Sequence, residues 1–280
     1  MNPVTVLGAG ALGAVIAQAF ATAGHPTTVW NRTPARLSAL VEQSPSLRTA
    51  DTVADAIAAG DLIAIAVADV AAARAVIEAA GVALTDRLVV NFTSTTPEES
   101  RALAELVGAN YLDGAAMSGT RLVGDPSALF LYAGPAATFA AAEPTLRALG
   151  AARSVGEDPG ASSLWDTALL GLNLGLLTGF YQAAALVGGS AQDVAAVATS
   201  YLPFATALIT DHAGQIDAGT YPADDGNLTV YAGVVQHLIA TATARGVAPD
   251  LAESWHALIT QAIAQGRGSD GLAALTEALR

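Results

Sequence analysis

The chain has 280 residues, of which 52% are hydrophobic and only 5% aromatic, enough for one large domain or two ordinary ones with a core of small side chains. A net charge of −13 leaves no basic face for a nucleic acid, and the positive charge is carried by 12 arginines and no lysine. The absent lysine excludes Schiff-base enzymes, lysine acid catalysis and the P-loop together, and the absent cysteine excludes disulfides and thiolate chemistry.

Pro3–Leu7 reads as a short buried strand. GAGALG follows, with Gly8, Gly10 and Gly13, and then an apolar-periodic helix to about Ala23. Strand, G-x-G-x-x-G and helix in this order form the dinucleotide fingerprint. Gly8 makes the tight turn, Gly10 lets a pyrophosphate approach, and Gly13 lets helix and strand pack. Ala11 and Leu12 complete the turn, and the helix N-terminus faces the phosphates. No charged leader precedes this strand, so a cytoplasmic location is expected.

Thr27–Trp30 is the second strand and ends in Asn31-Arg32-Thr33, with Arg36 one helical turn on. An NAD site would place a carboxylate here for the ribose 2′-hydroxyl. Two guanidinium groups and two polar donors suit a 2′-phosphate instead, so NADPH is favoured over NADH. Leu62–Val67 and Arg87–Phe92 continue the pattern, each followed by a helix, and Tyr111–Gly114 and Leu129–Tyr132 read as later strands. Alternating β and α units predict a parallel sheet wound on both faces. The loop after Phe92 leaves a strand's C-terminal end, where Ser94 and Thr95 could meet the nicotinamide or substrate, or where Thr95 or Thr96 simply caps the helix before Pro97.

After Gly160 the strands stop. Ala161–Gly188 reads as one uninterrupted helix of ~40 Å, capped by Ser162 or Ser163, ended by Gly188-Gly189 and apolar nearly all round. Gly171, Gly175 and Gly179 form a side-chain-free groove along one side. Asp166, Asn173 and Phe180 share the opposite face, placing a carboxylate in apolar surroundings. The stretch is long enough to span a bilayer, but aspartates rather than basic residues flank it, so a soluble interface is favoured over a membrane. Further helices are expected near Ala191–Leu202, Pro203–Gln215, Leu228–Arg245 and Ala248–Gln265. The division predicted is a nucleotide-binding domain over 1–159, an interdomain helix over 160–189 and a helical dimerisation and substrate domain over 190–280. The helical part is small for its apolar surface, which argues for an intertwined dimer. His212, His237 and His256 lack metal-ligand spacing, so no metal is expected. Asp224-Asp225 with Asn227 reads as a helix cap, and Tyr231 as a packed tyrosine or one pointing into a cleft.

GAGALG, VWNRT, VVNFTSTTP, YLDGAAM, LYAGP, GEDPGASSLWDTALLGL, QIDAGTYPADD and GLAALTEALR together resemble, in order, the NADPH-dependent imine reductases of the wider β-hydroxyacid and 6-phosphogluconate dehydrogenase superfamily. The resemblance implies an N-terminal Rossmann domain, a long interdomain helix and a domain-swapped homodimer, with each active site between one subunit's nucleotide domain and its partner's helical domain. It implies hydride transfer from NADPH to the carbon of a C=N bond. Where the hydroxyacid dehydrogenases of the superfamily carry a catalytic lysine, this chain has Asp166, as imine reductases characteristically have Asp or Tyr. Phosphate contacts carry over to Asn31, Arg32, Thr33 and Arg36, and the cofactor set extends to Asn91, Thr93 and Ser94. Ser94, Met117, Leu170, Leu174, Phe204, Leu208 and Tyr231 are assigned to the substrate pocket. Members that also join ketones to amines have Asn at the position of Ser94 and Tyr at that of Leu174, which argues against efficient reductive amination here. A carbonyl or hydroxyacid oxidoreductase of the same fold lacks its lysine, and a non-catalytic NADP-binding protein would leave Asp166 without a task.

Overall fold

The computed structural model describes all 280 residues and divides into two compact units, Met1–Leu172 and Asn173–Arg280. The division falls inside the long helix, which the sequence predicts as a segment of its own.

The first unit opens with β1 (Val4–Leu7), α1 (Ala11–Thr22), β2 (Thr27–Trp30) and α2 (Ala35–Gln43). It continues through β3 (Arg48–Thr49), α3 (Val53–Ala58), β4 (Leu62–Ile65), α4 (Val70–Ala80), β5 (Leu88–Asn91) and α5 (Pro97–Val107). β6 (Tyr111–Ala116), β7 (Leu129–Ala133), α6 (Ala136–Leu146) and β8 (Ala151–Ser154) complete the sheet, whose order is β3-β2-β1-β4-β5-β6-β7-β8. Side chains alternate across it. Val4, Val6, Leu62, Ala64, Val90 and Leu112 enter one core, and Leu7, Ile63, Ile65, Val89 and Tyr111 enter the other. Burial on both faces is why these strands read as unbroken apolar runs.

One pairing departs from the predicted parallel sheet: β6 and β7 run antiparallel. A parallel return needs a crossover that carries the chain back along the sheet. Between Ala116 and Leu129 the chain offers only a loop with one short turn of 3₁₀ helix at Thr120–Leu122, so it turns back beside itself.

The long helix, α7, spans Ala161–Val187 and ends at Gly188 and Gly189, both with positive φ (72° and 75°). Its start is not capped by Ser162 or Ser163 as expected. Asp158 does that work: its Oδ1 accepts from Gly160 N at 3.0 Å and its carbonyl from Ala161 N at 2.9 Å. The serines are engaged elsewhere, as described below.

α8 (Ala191–Ala218) is one helix where two were expected, and it runs through Pro203. A mid-helix proline costs about 3 kcal/mol through one lost hydrogen bond and a clash. Here the halves on either side are long, Ser190 caps the start and Gly219 ends the helix in the left-handed conformation, so it propagates across the defect. α9 (Leu228–Ala244) is capped by Asn227, whose Oδ1 accepts from Val230 N at 3.0 Å. α10 (Asp250–Ala262) and the short α11 (Leu275–Ala278) follow. The second unit has one small core around Tyr221, Leu228, Ile259, Ala262, Ala273 and Ala274.

α7 and α8 are both long and apolar enough to cross a membrane by length and composition. Within the single chain α7 buries only Ser162 and Ser163, and α8 buries no residue, against the expectation that the spine helix is covered on most sides. Gly171, Gly175 and Gly179 face open space: a Cβ added at any of them meets nothing within 4 Å.

Candidate functional site

The topological switch of the sheet lies between β1 and β4, which leave in opposite directions to β2 and β5. Ligands of open α/β sheets bind beyond the strand ends at this point. A cavity of about 520 Å³ sits there, lined by Gly8, Gly10, Ala11, Leu12 and Gly13 from the glycine turn, by Trp30, Asn31, Arg32, Thr33 and Arg36 beyond β2, and by Ala66, Val67 and Phe92 beyond β4 and β5.

The glycines are required by contact. Gly8 has φ of +119°, and a Cβ on it would lie 2.1 Å from the Ala66 carbonyl oxygen. A Cβ on Gly13 would lie 2.2 Å from the Gly8 oxygen, whereas one on Gly10 would enter open space. Gly8 and Gly13 therefore close the turn, and Gly10 keeps a bare surface toward the cavity. No side chain caps α1, so its first N–H groups remain for a ligand.

Arg32 and Arg36 are the only charged residues in the lining. With no carboxylate beside them, this end of the cavity fits an anion better than a ribose diol, which fits a 2′-phosphate. Arg32, Thr33 and Arg36 are exposed. Asn31 is engaged within the chain: its Oδ1 accepts from Ala9 N at 3.0 Å and its Nδ2 donates to the Thr33 carbonyl at 3.0 Å. It ties the glycine turn to the end of β2, and only its second amide hydrogen remains for a phosphate.

Asn91 and Thr93 are buried beside the cavity. Thr93 Oγ1 accepts from Val67 N at 3.2 Å, Thr93 N donates to Asn91 Oδ1 at 3.1 Å, and Asn91 Nδ2 donates to Asp113 at 3.2 Å. Both brace the wall rather than line it. Ser94 is exposed at the tip of the same loop. The capping reading applies to Thr96, which forms a capping box with Glu99 at the start of α5. Thr95 instead hydrogen-bonds Ser163 across 2.9 Å.

Asp113 is a functional candidate that sequence reasoning passed over. It is buried in β6, and its carboxylate accepts from Ser162 and Ser163 on one oxygen and from Asn91 and Tyr111 on the other. Burial, with the Asp113 charge second, pushes the Tyr111 hydroxyl far above its ordinary range. The signal available in the sequence was an acid inside the apolar run Tyr111–Ala116, since such groups are rarely buried without purpose.

Asp166 lies on α7 one turn beyond Ser162 and is partly buried. Burial raises its pKa, and the Asp113 carboxylate adds to the rise. Its apolar neighbours on the helix Leu164, Trp165 and Leu170 are exposed in the single chain.

The residues assigned to the substrate pocket fall in both units. Ser94, Met117 and Leu170 belong to the first unit. In the second, Leu208 and Tyr231 line a cavity of about 330 Å³ with His212 and Asp225, whereas Leu174 and Phe204 are exposed. Tyr231 donates to the Asp225 carbonyl at 3.4 Å.

Comparison with known proteins covers the whole chain. The family model described as the NAD binding domain of 6-phosphogluconate dehydrogenase matches residues 3–156, and that described as NADPH-dependent reductive aminase-like, C-terminal domain, matches residues 158–280. An NADPH-dependent reductive aminase of Aspergillus oryzae is 34% identical over 285 residues, which cover 98% of this chain and 96% of that protein. A reductive aminase from Aspergillus terreus, solved in complex with NADPH and ethyl-5-oxohexanoate, has a TM-score of 0.90 at 34% identity over 100% of both chains. An imine reductase from Myxococcus stipitatus in complex with NADP+ has a TM-score of 0.89 at 32% identity, over 99% of this chain and 100% of that one. The chain therefore belongs to the family of the NADPH-dependent imine reductases and reductive aminases.

Proposed function

We propose that this protein reduces the C=N bond of cyclic imines and iminium ions to amines with NADPH, acting as an intertwined homodimer in the cytoplasm. The observation that carries the reading is the cavity at the switch point, whose charged lining is Arg32 and Arg36 alone, in a chain whose α7 carries a partly buried aspartate. NADPH, when bound, supplies the hydride that the iminium carbon accepts. The glycine turn and the start of α1 would hold the pyrophosphate, and Arg32, Thr33 and Arg36 would hold the 2′-phosphate. Asp166 holds the nitrogen end of the C=N bond. Ionised, it stabilises an already protonated iminium, whose nitrogen then takes the C=N electron pair and becomes a neutral amine. Protonated, it would instead donate a proton to a neutral imine. Cyclic imines are basic enough that many arrive protonated, so the ionised anchor is the reading adopted.

The dimer is supported by the uncovered faces of α7 and α8. Leu172, Leu174 and Leu176 are 57%, 53% and 52% exposed, and Tyr201, Phe204 and Ile209 are exposed on α8. Apolar surface of this extent marks an interface. A partner's helical unit over these faces would supply side chains to the active site, including Leu174, Phe204, Leu208 and Tyr231.

Purified protein mixed with NADPH and a pyrroline, with a ketoacid as control, tests the activity by loss of NADPH absorbance. Oxidation with the ketoacid and none with the pyrroline would replace the reading by a carbonyl oxidoreductase. Binding of NADPH without turnover of either would leave a cofactor-binding protein. A second pair of substrates, cyclohexanone with allyl amine, tests the preference for preformed imines inferred from Ser94 and Leu174: slow turnover relative to the pyrroline is expected.

A further inference from the structure

Asp113 is a buried carboxylate whose hydrogen-bond partners are all neutral. Ser163 Oγ donates to its Oδ2 at 2.6 Å, Ser162 Oγ donates to the same oxygen, and Asn91 Nδ2 and Tyr111 OH donate to Oδ1 at 3.2 and 3.3 Å. Because the Ser163 hydrogen goes to the carboxylate, Thr95 must be the donor in the 2.9 Å contact between the two hydroxyls.

Traced outward, these bonds join two places. One branch runs from Asp113 through Asn91 and Thr93 to the Val67 N–H, and Val67 lines the cofactor cavity. The other ends on Ser162 and Ser163, in the first turn of α7. Ser162 and Asp166 are four residues apart and therefore share a face of the helix.

A buried charge without a cation is a costly anchor for a helix. Neutral side chains would tie the same serines to β6 without that cost. Keeping the charge is explained if its field, as well as its hydrogen bonds, has a task at Asp166.

We propose that Asp113 is a positioning residue for imine reduction, which fixes the first turn of α7, and with it Asp166, against the wall of the cofactor cavity. The inference rests on the reading of Asp166 as the group that faces the C=N nitrogen. The ionisable groups around the helix start are Asp113 and Tyr111 on β6 and, exposed, Arg101 on α5 with its partners Glu98 on α5 and Asp158 before α7. Of these, Asp113 is the one whose charge acts on Asp166.

The test compares Asp113→Asn, Ser162→Ala with Ser163→Ala, and Asp166→Asn in the full-length protein. The measurements are NADPH affinity, the single-turnover rate of NADPH oxidation by a pyrroline, and that rate as a function of pH. Asp113→Asn is expected to bind NADPH within about twofold of wild type and to turn over about ten- to a hundredfold more slowly, the scale of a misplaced catalytic group. Its Asp166-dependent pH limb moves to lower pH, because the carboxylate that raised the Asp166 pKa is gone. The double serine variant keeps the charge and releases the helix, so it slows turnover with a smaller displacement of the limb. It also carries the test if Asp113→Asn does not fold. A lower melting temperature with wild-type single-turnover rate and pH profile per NADPH-binding site would make Asp113 purely structural and overturn the proposal. If Asp166→Asn itself turns over normally, the reading of Asp166 fails instead, and the two failures are told apart.

Discussion

At the scale of single residues, the proposed chemistry rests on Asp166 and Arg32. Asp166→Asn keeps shape and removes charge and acid together. It is expected to bind NADPH normally and to lose roughly 10²–10⁴ in turnover of a preformed cyclic imine. A permanently charged N-methyl iminium separates the two roles, since a proton donor is dispensable for it and an anchor is not. The pH sign follows. Burial and Asp113 raise the Asp166 pKa, so an ionised anchor gives a rate that climbs as pH rises through that raised value, and a proton donor gives one that falls. Near wild-type rates on both substrates would make Asp166 structural. For Arg32→Ala, the lost charge-assisted phosphate contact is worth ~1.5–3 kcal/mol, so NADPH affinity should fall ten- to a hundredfold while NADH affinity barely moves. Equal losses for the two cofactors by fluorescence titration would remove Arg32 from the 2′-phosphate. At this scale the sequence announces residue types but not their engagements. Nothing in Asn31-Arg32-Thr33 says that the amide is bonded to Ala9 and Thr33 while the cations stay free, because those bonds depend on where β2 ends relative to the glycine turn.

At the scale of elements, the first turn of α7 is held twice, by Asp113 from inside and by Asp158 from outside. Asp158 accepts from Arg101 at 2.7 and 2.9 Å and from Gly160 N, and Arg101 with that N–H holds its pKa down at about 2. A depressed folded pKa means stability that is fully present above the ordinary carboxylate value of about 4 and lost as pH falls through about 2. Asp158→Asn should therefore lower the melting temperature at pH 7, and the gap from wild type should close as pH approaches 2. A gap independent of pH would deny the ion pair its part. The six inner strands of the α/β half were legible because both sheet faces are covered there, which leaves apolar runs that glycines and prolines separate cleanly, whereas the exposed edge strands β3 and β8 carry no such run and were not read. The antiparallel turn at β7 was not legible, since it depends on the missing crossover helix between Ala116 and Leu129. Pro203 misled for a related reason: proline propensity is local, whereas α8 is sustained by the length on either side of it.

At the scale of the whole molecule, the apolar content of α7 was plain in the sequence, but the identity of what covers it was not. A hydrophobic helix reads the same whether its cover is the same chain, a second copy or lipid. The single chain leaves both α7 and α8 uncovered, and the glycine groove at Gly171, Gly175 and Gly179 opens onto nothing within 4 Å. A second copy is the cover that matches the small residues: two backbones approach closely only where side chains are absent, and a two-fold axis presents the same groove twice. The purified protein should accordingly scatter light as a particle of twice 28.0 kDa at micromolar concentration, in buffer without detergent. Gly175→Leu places an isobutyl group in that groove on both copies. Overpacking costs ~1–3 kcal/mol per site and symmetry applies it twice, so the dimer should weaken by roughly thirtyfold or more. Turnover should fall with the dimer, since in the proposed assembly Leu174, Phe204, Leu208 and Tyr231 would reach the cofactor of the other copy. NADPH binding in the first unit should survive, because Gly8–Gly13 and Arg32 need no partner. A wild-type monomer with full activity would overturn the dimer reading. Extraction only with detergent would assign the uncovered faces to a membrane instead.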